Sequence, residues 1–319
     1  MDTEKIVLLL NSPLPASVRA QLEAQFACYD ISAGLDKVPS AELAQTQIIV
    51  NASDRKVPNE LIACLPHLRL IANHGVGYDG VDMSNALARG IAVTNTPDVL
   101  SAEVADLCVA LMLALARRVP ECDAFVRSGR WSQGEHFPLT CRMYGAKAGI
   151  VGLGRIGKEI VKRLRGFEMD IAFYGHHDVP GVRRMQSLEE LALFADYLII
   201  CVPGKKENYQ MINAKILQAL GPQGRLINIG RGSVVDEEAL TSALEQGTIA
   251  GAALDVFACE PQVSERLRAL SDRTVFTPHV GTATVQTRQA MADLVLANVQ
   301  SFAAGKELPT LVPECKGLF

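Results

Sequence analysis

At 319 residues, with 49% hydrophobic and 21% charged side chains, the chain holds enough apolar material for two cores. A net charge of −4 without any basic block argues against nucleic acid or an acidic membrane surface as a partner. The eight cysteines form no CxxC pair and no Cys/His metal spacing, so no metal is expected.

In chain order, the opening MDTEKIVLLLNSP has too short an apolar run for the core of a signal peptide. With scattered cysteines that read mostly as small buried hydrophobes, this suggests a reducing, cytoplasmic setting. Strands are expected at Ile6–Leu10, Ile48–Val50, Leu68–Ala72 and Ile91–Val93. After Thr96-Pro97-Asp98 comes a long apolar run around Val104–Ala116. It is interrupted by Asp106 and short for a membrane span, and reads as a buried helix with Ser101 as its cap. Further strands are expected at Ala148–Val151, Ile171–Tyr174, Tyr197–Val202, Leu226–Ile229, Gly251–Leu254 and Val275–Phe276. Between them, Ser187 with Glu190 reads as a capping box, and Asp236-Glu237-Glu238 as the acidic start of a helix that Gly247 ends. Such alternation of short apolar runs with helical patterns implies an α/β protein with parallel sheets covered on both faces.

The chemistry begins at KAGIVGLGRIGKEIVKRL, where a strand, a GxGxxG turn and a helix follow one another. Gly152 permits the tight turn, Gly154 lets a pyrophosphate approach the backbone, and Gly157 lets helix and strand pack closely. A nicotinamide dinucleotide is the expected ligand. The next strand ends at Gly175 and is followed by His176 and His177, with no carboxylate at the position that usually holds the ribose of NAD. Gly175 leaves space and the two histidines are candidate donors to a 2′-phosphate, so NADP(H) is favoured and NAD(H) stays compatible.

Three polar residues follow later strands: Arg231, Glu260 and His279. Open α/β sheets place ligands at the carboxyl ends of their strands. Arginine binds a carboxylate with two parallel hydrogen bonds, and histidine exchanges a proton near neutral pH. A carboxylate beside a histidine favours its charged form. The set suits reduction of a 2-oxo acid, which needs a cation for the carboxylate, a proton donor for the carbonyl oxygen and a hydride source.

With these residues in place, the chain resembles the D-isomer-specific 2-hydroxyacid dehydrogenases, and among them the glyoxylate/hydroxypyruvate and hydroxyphenylpyruvate reductases. The resemblance covers nearly the whole length and rests on GVGYDGVD at 75–82, GLGRIG, INIGRGSVVDEEAL at 227–240, GAALDVFACEP at 251–261 and TPHVGTAT at 277–284. It implies two doubly wound parallel-sheet domains. A Rossmann dinucleotide-binding domain, 98–285, is inserted into a flavodoxin-like substrate domain formed by 1–97 and 286–319. It implies that Arg231 holds the substrate carboxylate, that His279 is the acid in reduction and the base in oxidation, and that Glu260 tunes His279. Backbone amides of Val76 and Gly77 add to the carboxylate site. Arg155 and Ile156 meet the pyrophosphate, Asp255 lies near the nicotinamide end, and Val202, Pro203, Ile229 and Gly281 line the cofactor cleft.

Relatives of this kind pair as homodimers through the dinucleotide domain. Trp131 matches a family tryptophan that reaches toward a partner's active site, with packing at a domain edge as the other reading. NADPH-using relatives commonly carry arginine or serine where His176 and His177 stand, and a neutral imidazole attracts a phosphate less. His74 stands where an aromatic or small residue is usual and is expected to fill space. The substrate side chain would be read around Asn51-Ala52-Ser53 and the His74–Tyr78 loop. Glyoxylate and hydroxypyruvate come first as substrates, with arylpyruvates or sugar-derived 2-oxo acids as alternatives. A dinucleotide-sensing binding protein or corepressor on the same fold is the competing class, against which the intact Arg231, Glu260 and His279 stand.

Overall fold

The computed structural model describes residues 5–317, so the outermost ends of the expected split domain, 1–4 and 318–319, lie outside the described residues. Among the described residues two compact units form, one within 5–100 and 282–317, the other 101–281.

The first unit runs β1 (Val7–Asn11), α1 (Ala16–Gln25), β2 (Ala27–Asp30), α2 (Ser40–Gln45), β3 (Thr46–Ala52), α3 (Asn59–Ala63), β4 (Leu70–His74), α4 (Met83–Ala88) and β5 (Ala92–Thr94). Its sheet has the order β2-β1-β3-β4-β5, parallel throughout. That order belongs to the flavodoxin-like class, whose direction of winding reverses between β1 and β3. Continuous burial along β1 and β4 marks strands covered on both faces.

The second unit opens with α5 (Ser101–Arg117) and α6 (Val119–Arg127). On α5, Val104, Ala105, Cys108, Leu111, Met112 and Leu115 recur at helical spacing and are buried, while Asp106 points out to Arg163. Ser101 is not the cap expected of it. It is the first helical residue, and its buried hydroxyl finds no hydrogen-bond partner among the described residues. No helix among the described residues is long and apolar enough to cross a membrane.

There follow β6 (Lys147–Val151), α7 (Arg155–Leu164), β7 (Asp170–Tyr174), β8 (Arg183–Arg184), α8 (Leu188–Phe194), β9 (Tyr197–Ile200), α9 (Ala214–Leu220), β10 (Arg225–Asn228), α10 (Glu237–Glu245), β11 (Gly251–Leu254), α11 (Glu265–Ala269) and β12 (Thr274–Phe276). These strands form a parallel seven-stranded sheet, β12-β11-β10-β9-β6-β7-β8, whose winding reverses between β6 and β9. Counted from β6, its first six strands have the Rossmann order. Ile150, Leu198, Ile199 and Leu226 are fully buried in it, each contributing roughly 1.5–3 kcal/mol. The chain then returns to the first unit through α12 (Val285–Ala303), capped by Thr284.

The helix signals hold with one change of detail. Ser187 accepts from the Glu190 amide at 3.1 Å, but the Glu190 carboxylate reaches the Gln186 amide rather than that of Ser187. Asp236 caps α10, and Gly247 follows its end with φ 70°. The cysteines depart further from expectation. All eight are free, but as whole residues only Cys108 and Cys315 are buried, Cys28, Cys122 and Cys201 being partly exposed and Cys64, Cys141 and Cys259 exposed.

Candidate functional site

The glycine turn joins β6 to α7, and each glycine meets a different constraint. Gly152 has φ 90°, and a Cβ there would stand 2.6 Å from Val202 Cγ1. A Cβ at Gly157 would stand 2.5 Å from the Gly152 carbonyl oxygen, so helix and strand pack closely only without it. A Cβ at Gly154 would meet nothing within 4 Å. The space it leaves lies open at the N-terminus of a ten-residue helix, where backbone N–H groups and the helix dipole favour an anion. Arg155 is exposed and Ile156 partly buried beside it. Below the turn the Cys201 thiol donates to the Gly152 carbonyl at 2.7 Å, and burial pushes its pKa up to about 12, which leaves it unreactive. These residues fit a dinucleotide pyrophosphate.

Val202 and Pro203 follow β9, and the buried Ile229 follows β10, so β9, beside the winding reversal, and its neighbour β10 both contribute to this end of the sheet. His176 and His177 are exposed in the loop after β7, their rings 6.4 Å apart. The sequence alone did not single out Arg184. On edge strand β8, its Nε donates to the Gly175 carbonyl at 2.9 Å and its Nη1 lies 3.2 Å from Asp178 Oδ1.

Beyond β10, the buried Asn228 shapes the loop that carries Arg231. Its Oδ1 accepts from the Gly230 amide and its Nδ2 donates to the Arg231 carbonyl, both at 3.1 Å. The Arg231 stem lies over Gly204, where a Cβ would come within 3.1 Å of Cγ. A Cβ at Gly232 would stand 1.9 Å from the Phe257 carbonyl, so this loop and the one after β11 touch through a glycine.

Those loops bring Glu260 and His279 together. His279 Nδ1 is 2.7 Å from Glu260 Oε2, and the other carboxylate oxygen accepts from the Phe257 amide at 2.9 Å. An ionised carboxylate only accepts, so Nδ1–H donates and Nε2 is the nitrogen left to exchange a proton. Burial pushes the Glu260 pKa up, but the bonds from His279 and Phe257, with the positive charges of His279 and Arg231, outweigh it and hold the carboxyl below its usual value. His279 adopts φ 53°, a strained conformation for a side-chain-bearing residue. Asp255 holds it there. Its carbonyl accepts from the His279 amide at 2.8 Å, and its carboxylate accepts from Thr277 Oγ1 and the amides of Val280 and Gly281. The Asp255 carboxylate, expected near the nicotinamide, is thus committed to the 277–281 loop.

In the first unit, the strand register places Asn11, Asn51 and Asn73 side by side at the carboxyl ends of β1, β3 and β4. Asn11 Nδ2 donates to Asn51 Oδ1 at 2.8 Å, and Asn51 Nδ2 to Asn73 Oδ1 at 3.3 Å. Asn51, placed by sequence among substrate-reading residues, is fully buried and used inside the protein. Asn73 Nδ2 donates to the carbonyls of Gly75 at 3.1 Å and Gly77 at 2.8 Å, and Asn95 Nδ2 to that of Val76 at 3.0 Å. Every carbonyl of the 75–77 loop is therefore held. The amides of Val76 and Gly77 donate to no acceptor among the described residues. His74 is 2% exposed and fills space, with Ser12 Oγ 3.0 Å from its Nδ1. Burial and the charge of Arg288 lower its pKa to about 4. Trp131 is 65% exposed on a short turn after α6.

A sheet of Rossmann order whose first strand ends in this glycine turn defines a dinucleotide-binding protein. Comparison with known proteins narrows the class. The model of the D-isomer specific 2-hydroxyacid dehydrogenase NAD binding domain matches residues 109–281. Across 97% of the chain and 99% of the relative, the sequence is 41% identical to glyoxylate/hydroxypyruvate reductase A of Arabidopsis thaliana. It is 40% identical over the same shares to hydroxyphenylpyruvate reductase of Plectranthus scutellarioides. The crystal structure of an NADPH-dependent glyoxylate/hydroxypyruvate reductase from Sinorhizobium meliloti, in complex with NADP and malonate, superposes with a TM-score of 0.92 at 41% identity, covering 98% of each chain. The chain belongs to the D-isomer-specific 2-hydroxyacid dehydrogenase family.

Proposed function

We propose that this enzyme reduces a small 2-oxo acid, glyoxylate or hydroxypyruvate first, to the D-2-hydroxy acid with NADPH, NADH being the poorer cofactor. The observation that carries the reading is the 2.7 Å pairing of His279 with Glu260, with the positive charge of Arg231 acting on the same carboxylate. The names of the full-length relatives and of the Sinorhizobium reductase support the substrate and cofactor class.

The nicotinamide, when bound, supplies the hydride. The glycine turn and the N-terminus of α7 hold the pyrophosphate, flanked by Arg155 and Ile156, while Val202, Pro203, Ile229 and Gly281 line the dinucleotide's path. Arg231 binds the substrate carboxylate and polarises the adjoining carbonyl; in the first unit, the amides of Val76 and Gly77 are donors suited to a carboxylate. His279 gives its Nε2 proton to the carbonyl oxygen and takes it back in the reverse direction. Glu260 fixes the ring and balances its charge. Asp255 acts as a positioning residue for the loop that carries His279.

A panel of 2-oxo acids assayed with NADPH and NADH tests this. Glyoxylate and hydroxypyruvate are expected to have the highest kcat/KM, with NADPH having the lower KM. Faster turnover of arylpyruvates, or equal KM values for the two cofactors, would overturn the corresponding part of the reading.

We further propose a homodimer formed through the second unit. Val119, Val126, Trp131, Leu139 and Tyr144 are all exposed within one stretch of that unit, an apolar surface that suits a second copy. Light scattering that gives the mass of one chain would refute it. The exposed free thiols of Cys64, Cys141 and Cys259 suit a reducing, cytoplasmic setting.

A further inference from the structure

We infer that Arg184 is the residue that recognises the 2′-phosphate of the cofactor and so sets the preference for NADPH. This rests on the proposed NADP(H) reading of the strand end at Gly175 and deepens it.

In a Rossmann sheet the 2′ substituent of the adenosine ribose lies at the carboxyl end of the second strand. Here that strand is β7, and its end is Gly175. A Cβ at Gly175 would lie no nearer than 3.6 Å to any neighbour, so the glycine leaves room at this point. Arg184 comes from the parallel edge strand β8, where it pairs with Phe173. From there its guanidinium reaches forward to the Gly175 carbonyl and to Asp178. A fixed positive charge therefore stands at the strand end, anchored through Nε, with its fork of donors only partly used.

Two further observations fit an anion at this place. Asp178 is the nearest acid in the sequence after the strand, and its carboxylate is paired with Arg184. It is 86% exposed, so a phosphate displaces it from Arg184 at little cost. The neighbouring arginine serves another purpose. Arg183 stacks its guanidinium 4.5 Å from the Phe194 ring and reaches Asp170, at the opposite end of β7. Of the two arginines on this edge, only Arg184 faces Gly175. A guanidinium binds phosphate oxygens with a planar fork of paired charge-assisted bonds, a geometry an imidazole ring does not offer.

Calorimetric titration with adenosine 2′,5′-bisphosphate and with AMP tests the assignment without turnover. Wild type is expected to bind the bisphosphate more tightly. Arg184→Gln should weaken the bisphosphate by about tenfold or more and leave AMP unchanged, which also reports that the variant is folded. Arg183→Gln should change neither ligand, and Asp178→Asn should tighten the bisphosphate by removing a competitor for Arg184. A preference kept intact in Arg184→Gln overturns the role of Arg184 while leaving the NADP(H) reading standing. Equal affinities of wild type for both ligands overturn the cofactor reading together with it. Equal losses for both ligands in Arg184→Gln would make Arg184 a structural brace of the loop and overturn the inference.

Discussion

Glu260 Oε2 stands 2.7 Å from Nδ1 of His279, and each partner is fixed by its own backbone bond, the Phe257 amide on Glu260 Oε1 and the Asp255 carbonyl on the His279 amide. The pair is about one-third exposed, at 33% for His279 and 30% for Glu260, so solvent reaches it. Orientation and charge balance are thus set by the protein's own backbone.

Replacing Glu260 by Gln keeps an acceptor near Nδ1 and removes the charge. Turnover should fall by about tenfold or more while NADPH affinity is unchanged. Steady-state rates alongside fluorescence titration of the cofactor check this. A variant with wild-type kcat would show that the carboxylate charge does not matter to the proton transfer.

The pH dependence of stability follows from the same carboxyl. Its folded pKa lies below the ordinary value of 4.5, so the ionised group favours the folded state above that value, and the contribution is lost as pH falls through the folded pKa. The stability difference between wild type and Glu260→Gln should shrink as pH falls below about 5. Denaturant unfolding at a series of pH values measures it, and a difference that grows on acidification would contradict the pairing.

His74 behaves in the opposite chemical sense. The unfolded chain takes up the proton near pH 6.5, whereas the folded protein resists it down to about 4. Its neutral burial is harmless above 6.5 and destabilises progressively between 6.5 and 4. The loss should reach about 3 kcal/mol, at ~1.4 kcal/mol per pH unit of mismatch. His74→Asn should flatten the stability profile in that window. An unchanged slope would mean that the imidazole is solvated.

Asn73 holds the 75–77 loop, whose Val76 and Gly77 amides are proposed to meet the substrate. Asn73→Ala strips the side-chain donor from the Gly77 carbonyl and one of two donors from the Gly75 carbonyl, which keeps the Thr96 amide, and should cost about 1–3 kcal/mol of stability. With the loop loosened, KM for the 2-oxo acid should rise more than kcat falls, and cofactor binding should be spared. Unaltered KM would detach the loop from substrate binding.

Much of this was legible in the sequence because apolar runs bury strands and glycines mark close approaches. The strands at the middle of both sheets, the glycine turn and the Arg231, Glu260 and His279 loops all carry such signals. β2 and β8 do not. Ala27–Asp30 is only partly buried, and Arg183–Arg184 is a two-residue edge strand, where one side faces solvent and no apolar run is needed. The row of Asn11, Asn51 and Asn73 comes from strand register, which no local pattern encodes. Arg184 went unseen for the same reason, since it reaches Gly175 across a strand pair rather than along the chain. Asp255 sits in a recognisable motif, but only the folded loop reveals that its carboxylate binds the 277–281 backbone.

The rate of NADPH oxidation by hydroxypyruvate, measured for wild type and for His279→Ala with the NADPH dissociation constant of each, bears most directly on 2-oxo acid reduction at this site. Wild type should consume NADPH, and His279→Ala should lose about a hundredfold or more in kcat with cofactor affinity retained. Near-normal turnover by His279→Ala, or a wild type that consumes NADPH with no 2-oxo acid, would contradict it.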